Sequence, residues 1–388
     1  MKNKIILITY HPLTAINGGT IMYKTIIEHF PKDELVWIAT GAHNKDIPVW
    51  MKCYDHYIFP FFIFKTWWLK IFMKPGFNLI HWFLLYYIYP YLIIKSIYKI
   101  IQKTNAKIVW IEGVKQTYII GYILNKKYNI PIHMSVNDDI TANCSIFESR
   151  FFIKNYFKYL LFNAKTVDFI SEEMRNYYSE IYNYNKDNYM ILWIGNSFDP
   201  LSPPLINQQI TKIVFYGSIH GFETIEAFCE GLDIANKMGY QYTMDIYSGT
   251  NYKYLQDRYK SVSFKGAVSS EQLMEIVPTY DLVYVPMSFR KDRYAITRTS
   301  ISVKMIMALQ TQIPILAHGP LYSSNTLFAF NNKVGFRINS LYVKDIIEVL
   351  NNISFEQRKE ASKNARKLYE AKFNTDINVS NFLSFLKQ

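Results

Sequence analysis

Ser300, Ser302 and Lys304 stand within a few residues of one another where a short apolar periodic run begins. A hydroxyl at either serine position can cap a helix and leave its first backbone N–H groups free. A lysine in the first turn then converges with those groups on an anion such as a phosphate. The same stretch, Thr297 to Pro320, breaks at Gln310 to Gln312, continues as a buried strand from Ile313 to Ala317, and turns at His318-Gly319-Pro320. An ordinary capped α/β crossover has this pattern too, so the rest of the chain must decide what it is.

Glycines offer a second place for chemistry. Lys4 to Thr9 reads as a buried strand, Tyr10 to Thr20 as a polar loop containing Gly18 and Gly19, and Ile21 to Phe30 as a helix. A glycine loop between strand and helix lets a phosphate or sugar approach the backbone, or simply makes a tight turn. The spacing is not GxGxxG, so a dinucleotide fingerprint is not supported. Cys53, Cys144 and Cys229 are scattered without metal-ligand or disulfide spacing, which suits a reducing cytosol. The N-terminal apolar run is too short for a signal peptide and is expected to be a first strand.

These groups need a scaffold, and the chain supplies one twice. After a second strand, Glu34 to Thr40, alternation resumes with strands at Lys107 to Glu112, Pro131 to Val136, Thr166 to Ser171 and Met190 to Ile194. Helical patterns at Gln116 to Lys127, Phe151 to Asn163 and Glu172 to Ile181 separate them. Ser197 to Ile210, with three prolines and no periodicity, reads as a linker. A second series follows, with strands at Lys212 to Tyr216, Tyr242 to Tyr247, Val262 to Lys265 and Asp281 to Pro286. Its helices are expected at Glu223 to Met238 and Gln272 to Val277, with terminal ones at Lys344 to Leu350, Phe355 to Tyr369 and Asn378 to Leu386. Alternation of this kind predicts parallel, doubly wound sheets, with ligands at the carboxyl ends of the strands.

With 388 residues, half of them hydrophobic, the chain suits two domains. A net charge of +12 points to anionic partners. No nucleic-acid-binding module is recognisable, so a nucleic-acid role rests on charge alone. Residues 57–101 are unusually aromatic, and Trp67, Trp68, Lys65, Lys70 and Lys74 suit a lipid headgroup boundary. The apolar run Leu79 to Ile94 approaches bilayer length, but His81, Pro90 and Lys95 interrupt or bound it, so a peripheral contact is expected rather than a span.

Three pieces of the second half carry a resemblance. They are Phe215-Tyr-Gly-Ser-Ile-His220, the loop Phe264 to Leu273 with Tyr280 to Pro286, and Ser300-Ile-Ser-Val-Lys304 with Ile313 to Pro320. In this order they resemble the GT-B glycosyltransferases, especially the superfamily of family 4 and the bacterial polysaccharide and lipopolysaccharide transferases. The resemblance covers nearly the whole chain. It implies an α/β architecture of two Rossmann-like, doubly wound parallel-sheet domains facing a cleft. Residues 1–200 form the acceptor domain, 201–370 the sugar-nucleotide domain, and 371–388 a helix returning to the first.

The resemblance further implies donor contacts from Gly18, Gly19, Ser218, His220, Val268, Arg298, Ser300, Ser302 and Lys304, with Lys304 first among them. Arg290 and Arg293 are weaker candidates, and Lys265 reads as a surface lysine. Positive charge and helix ends stabilise the departing diphosphate, with no metal or other cofactor expected. Asp138 is the first candidate for a base on the acceptor and His11 the second, with Glu112 a further acceptor contact. Retaining members carry two glutamates where this chain has Thr299 and Met307, and Met307 cannot hold a ribose. The expected function is transfer of a sugar from a nucleotide sugar to a glycan or lipid-linked acceptor of a surface polysaccharide. The expected location is cytoplasmic, with a peripheral contact on the anionic inner face of the membrane. A sugar-nucleotide epimerase of the same fold and a catalytically inactive glycan-binding or scaffold protein remain the alternatives.

Overall fold

The computed structural model describes residues 4–14, 18–41, 47–60, 78–142, 146–193 and 202–388. The chain forms two compact units, Met1–Ile194 with Asp376–Gln388, and Gly195–Thr375. Lys65, Trp67, Trp68, Lys70, Lys74 and Cys144 lie outside the described residues, as does the first part of the expected linker, 197–201.

The first unit follows the order β1 (Ile5–Thr9), α1 (Gly18–Glu28), β2 (Leu35–Ala39) and β3 (Asp55–Ile58). Helix α2 comprises Asn78–Phe83, a π-helical turn at Leu84–Ile88, and Tyr89–Thr104. Then come β4 (Ile108–Glu112), α3 (Thr117–Tyr128) and β5 (Ile132–Val136). Helix α4 joins Ile146–Glu148, a second π-helical turn at Ser149–Ile153, and Lys154–Asn163. The series closes with β6 (Thr166–Phe169), α5 (Glu172–Tyr182) and β7 (Tyr189–Ile191). The strands form one parallel sheet in the order β3-β2-β1-β4-β5-β6-β7, so the connections reverse direction between β1 and β4.

Why these segments are strands is plain from their side chains. Ile-Ile-Leu-Ile-Thr in β1 and Ile-Val-Trp-Ile-Glu in β4 are buried at every position. A parallel sheet covered on both faces selects such unbroken apolar runs. Trp37 and Trp110 are fully buried, and their indole N–H groups donate to Thr9 Oγ1 at 3.0 Å and Ser135 Oγ at 2.7 Å. A buried pair, His133 Nε2 and Asp168 Oδ2 at 3.0 Å, ties β5 to β6.

The second unit runs β8 (Lys212–Tyr216), α6 (Phe222–Lys237), β9 (Thr243–Tyr247), α7 (Lys253–Arg258), β10 (Val262–Gly266) and α8 (Ser270–Ile276). It continues with β11 (Leu282–Pro286), α9 (Tyr294–Thr299), α10 (Val303–Thr311), β12 (Ile315–His318), α11 (Ser324–Asn331) and β13 (Gly335–Ile338). Helices α12 (Val343–Asn352) and α13 (Phe355–Leu368) complete it. The sheet order is β10-β9-β8-β11-β12-β13, again parallel, with its reversal between β8 and β11. Buried Arg358 on α13 donates to the carbonyls of Asn207 and Gln208 at 2.7 and 2.8 Å and lies 3.9 Å from Asp281. The chain entering this sheet is thereby pinned to its last long helix. The final helix, α14 (Thr375–Lys387), gives Val379, Phe382 and Leu386 to the core of the first unit.

Four differences from the sequence reading have physical causes. Gly18 and Gly19 begin α1 instead of ending the loop, because a helix start tolerates glycine where only its interior resists it. The strands β3 and β13 were not anticipated: both are edge strands, β3 with no fully buried residue and β13 with one. Short edge strands do not need a long apolar run. The expected strand Met190 to Ile194 is three residues long, Tyr189–Ile191. Helices α9 and α11 fall in stretches rich in Thr, Ser and Asn, whose weak helix propensity hid them.

Candidate functional site

At the carboxyl end of β8 the chain must turn sharply, and Gly217 does so with φ +84°, a region closed to most side chains. An added Cβ there would lie 3.1 Å from Lys304 Cε. Lys304 reaches this turn from the first residues of α10: its ammonium donates to Ser218 O at 3.0 Å and stands 5.3 Å from the centre of the Phe215 ring. Tyr216 OH donates to Lys304 O at 2.8 Å, so backbone and ammonium are both tied to β8 and its loop. Ser302 is the N-cap of α10, its Oγ accepting from Lys304 N at 3.4 Å. Ser302 N donates to Asn325 Oδ1 at 3.0 Å, and Ser324 Oγ donates to Ser300 O at 2.5 Å. Helix α11 thus braces the helix start.

The electrostatics of this corner favour an anion. Lys304 has no ion-pair partner among the described residues, and desolvation lowers its pKa from 10.5 to about 8. His220, in the same loop, is lowered to about 4, first by desolvation and then by the charges of Lys304 and Arg293. It is neutral at physiological pH.

The neighbouring loop after β11 is stapled to the β8 loop. Gly221 allows the backbones to touch, since a Cβ there would come 2.8 Å from Met287 C. Glu223 accepts from Phe289 N at 2.8 Å and from the Ser288 hydroxyl, and Thr224 Oγ1 donates to Met287 O at 2.7 Å. Deeper in the sheet, Tyr284 OH meets His318 Nδ1 at 2.8 Å and His318 Nε2 meets Ser340 O at 2.7 Å. Burial lowers His318 to about 4, so it is a neutral strut.

The first unit presents a different constellation at the ends of β1 and β4. Glu112, the last residue of β4, is buried, and its Oε2 accepts from Tyr10 N at 2.7 Å and His11 N at 3.3 Å. Its Oε1 lies 3.3 Å from His11 Nδ1, fixing the imidazole. Lys115, held at φ +50°, lies 5.1 Å over the Tyr10 ring. Gln116 is fully buried, donates from Nε2 to Thr40 Oγ1 at 3.3 Å, and leaves Oε1 without a hydrogen-bond partner.

The expected residues divide accordingly. Ser218, His220, Ser302 and Lys304 come together, with Ser300 alongside. Val268 lies half-buried just before the Ser269–Gln272 capping box that starts α8. Arg298 donates to Tyr294 OH at 3.1 Å, Arg290 is engaged with Asp292 at 2.9 Å, and Lys265 lies 3.5 Å from Asp245. Gly18 and Gly19 belong to the first unit. His11 joins Glu112, whereas Asp139, beside half-buried Asp138, is consumed by Thr141 and by Tyr178 OH at 3.0 Å. Thr299 is buried with Oγ1 donating to Ala295 O at 2.8 Å, and Met307 lies in the core. The Glu223 staple and Gln116 escaped the sequence reading; their partners lie 65 and 76 residues away, beyond any local motif.

Two parallel sheets, each reversing at its centre and each closing a β-α series, give this chain the GT-B fold. Three solved structures illustrate the similarity. Sucrose-phosphate synthase from Thermosynechococcus elongatus matches with a TM-score of 0.66 at 12% identity, over 100% of this chain and 99% of that one. A glycosyltransferase from Rickettsia africae matches at 0.64 and 15%, over 100% and 98%. Anabaena HepE in complex with UDP matches at 0.67 and 12%, over 99% of both chains. At such identities the similarity establishes the fold. By sequence, no family model and no curated protein matches the chain.

Proposed function

We propose that the protein is a glycosyltransferase that takes a sugar from a nucleoside diphosphate sugar. The observation that carries this is Lys304, a cation without a carboxylate, held against the Gly217 turn at the capped start of α10. A diphosphate placed there meets the ammonium, the positive end of α10 and the hydroxyls of Ser302 and Ser218. These groups would hold the leaving group as negative charge builds on it. Structures of the same fold contain UDP, UDP with glucose, and a fluorinated UDP-glucose, which supports a UDP-sugar as the first donor to try.

The His11–Glu112 pair supports an activated acceptor. Glu112 fixes His11 through Nδ1 and leaves Nε2 to take a proton from an acceptor hydroxyl. This makes His11 a better-built base than Asp138. The acceptor is a glycan or lipid-linked glycan of the cell surface, and the enzyme works on the cytoplasmic side of the membrane. The leaving-group contacts assigned here need no metal or other cofactor. Met307 in the core at the position of the usual ribose-binding glutamate supports a second reading, a nucleotide-sugar-binding protein without turnover.

The test is a thermal-shift screen with UDP, GDP, CMP, dTDP and their sugars, without added metal. Binding of one of them raises the midpoint by mass action. A shift lost in Lys304→Met supports the donor site, and slow donor hydrolysis by the native chain separates enzyme from binding protein. No shift with any nucleotide overturns the reading.

A further inference from the structure

Helix α2 has an exposed stripe whose character changes along its length. Leu79, Phe83, Tyr87 and Tyr91 recur every four residues and are exposed, with Ile80, Ile88 and Leu92 beside them. Leu92 is 68% and Phe83 50% exposed. Further along the same helix the exposed positions become Lys95, Ser96, Lys99 and Lys103. On a regular α-helix each four-residue step overshoots a turn by about 40°. The wider π-helical turn at Leu84–Ile88 takes up that overshoot and keeps the apolar positions in line. The apolar part spans roughly 20 Å.

Helix α4 repeats the pattern. Phe147 and Phe151 are exposed near its start, and exposed Arg150, Lys154 and Lys158 accompany or follow them. Trp82 stacks on Phe147 at 5.6 Å and Tyr87 meets Phe152 at 5.6 Å, so the two helices form one patch. Neither helix carries an exposed acid: the sole carboxylate on them, Glu148, is buried and accepts from Tyr86 OH. An exposed apolar surface of this extent marks an interaction site, and its cationic surround fits anionic headgroup phosphates.

By length and composition the helix could cross a bilayer. It does not span in this fold, because β3 before it and β4 after it belong to one sheet, and its other face is buried against the core. The buried face of the same helix packs beside the candidate acceptor site. Tyr89 OH donates to Thr40 O at 2.7 Å, and Gln116 bonds the Thr40 hydroxyl four residues beyond Glu112. His81 is lowered chiefly by burial and then by the charge of Lys115, the residue lying over Tyr10.

We infer that this face seats on an anionic lipid bilayer, with the apolar ends of α2 and α4 in the acyl boundary and their lysines among the phosphates, and that the acceptor offered to His11 is carried on a lipid. The second clause rests on the transferase reading; the first does not. Full-length protein is floated with vesicles of phosphatidylcholine alone and of phosphatidylcholine with phosphatidylglycerol. The triple variant Phe83→Ser, Leu92→Ser, Phe151→Ser should lose about 100-fold in partitioning. Lys95→Glu with Lys99→Glu should lose about tenfold on anionic vesicles and little on neutral ones. All these positions are exposed, and an unchanged thermal midpoint verifies the fold.

Failure of the native chain to bind vesicles, or equal binding by the triple variant, overturns the face. So does a dimer in solution that the triple variant abolishes, which would show a second copy as the occupant. With the stabilising nucleotide sugar and isolated membranes, label should enter solvent-extractable lipid with the native chain and much less with the triple variant. Equal labelling of water-soluble glycan by both overturns the lipid-linked acceptor. Vesicle binding without any nucleotide shift removes the transferase reading and leaves the bilayer face standing; the converse removes the face alone.

Discussion

At the end of β8 a lysine stands without a carboxylate, whereas at the end of β4 a buried carboxylate stands among two backbone N–H groups and an imidazole. Both places lie where a parallel sheet reverses its connections, and both are reached by a short loop. The scaffold supplies the same opening twice, and the residue at the strand end decides what the opening can hold. Gly217-Ser218 after β8 leaves room for a neighbouring cation and exposes a carbonyl to it. Glu112 ends β4 with a charge that is already satisfied, so it orients a neighbour instead of waiting for a ligand. One end presents a cation and the other an imidazole held by a carboxylate.

Lys304→Met should break this contrast most sharply. Turnover should fall by roughly 100- to 1,000-fold as leaving-group stabilisation is lost, and the nucleotide-induced thermal shift should vanish. The unliganded variant should be at least as stable as the native chain, because it no longer carries a desolvated charge. A thermal shift that survives the substitution would place the donor elsewhere.

His11→Ala tests the other end. It should cost about 100-fold in kcat and leave the nucleotide shift untouched. Glu112→Gln should cost about tenfold, since an amide oxygen still accepts from Tyr10 N but the neutral side chain orients the imidazole less firmly. If both variants keep kcat within a few-fold, the reaction needs no base, and the contrast becomes one between a donor site and a purely structural pair.

The two ends were also unequally legible. Lys304, Ser302 and Ser300 fall within one short run that a capped helix start makes legible, and Ser218 and His220 fall within another that the resemblance pointed to. The continuous apolar runs announced both sheets for a local reason too: a doubly covered strand writes its burial into consecutive residues. The His11–Glu112 pair is separated by 101 residues, and only the adjacency of β1 and β4 joins it. Asp138 follows a strand at a position suggested by the resemblance; its neighbour Asp139 is bound to Thr141 and Tyr178. The exposed stripe of α2 was legible as aromatic excess, but a sequence cannot show which aromatics face the core.

Glycine substitutions sharpen the donor end without touching its charge. Gly217→Ala should cost about 1–2 kcal/mol of stability for a left-handed backbone and about tenfold in nucleotide affinity, because the new methyl displaces Lys304 Cε, 3.1 Å away. Gly239→Ala is the matched control, at φ +102° with nothing within 4 Å. It should carry a backbone penalty of that order and no change in affinity, as read by denaturation and nucleotide titration.

The smallest effect is a pH dependence, and its direction distinguishes a desolvated donor lysine from an ordinary surface one. Desolvation puts Lys304 at about 8 in the fold against 10.5 unfolded. Between those values the unfolded chain binds the extra proton, so the unliganded protein should gain stability as pH rises through that window. A bound diphosphate reverses the preference by favouring the charged ammonium. Nucleotide affinity should therefore be flat below pH 8 and fall as pH climbs above it, by up to about tenfold per unit. Liganded and unliganded midpoints should converge over the same interval. In Lys304→Met neither trend has a titrating group behind it, and any slope that remains in nucleotide affinity would have to come from another residue.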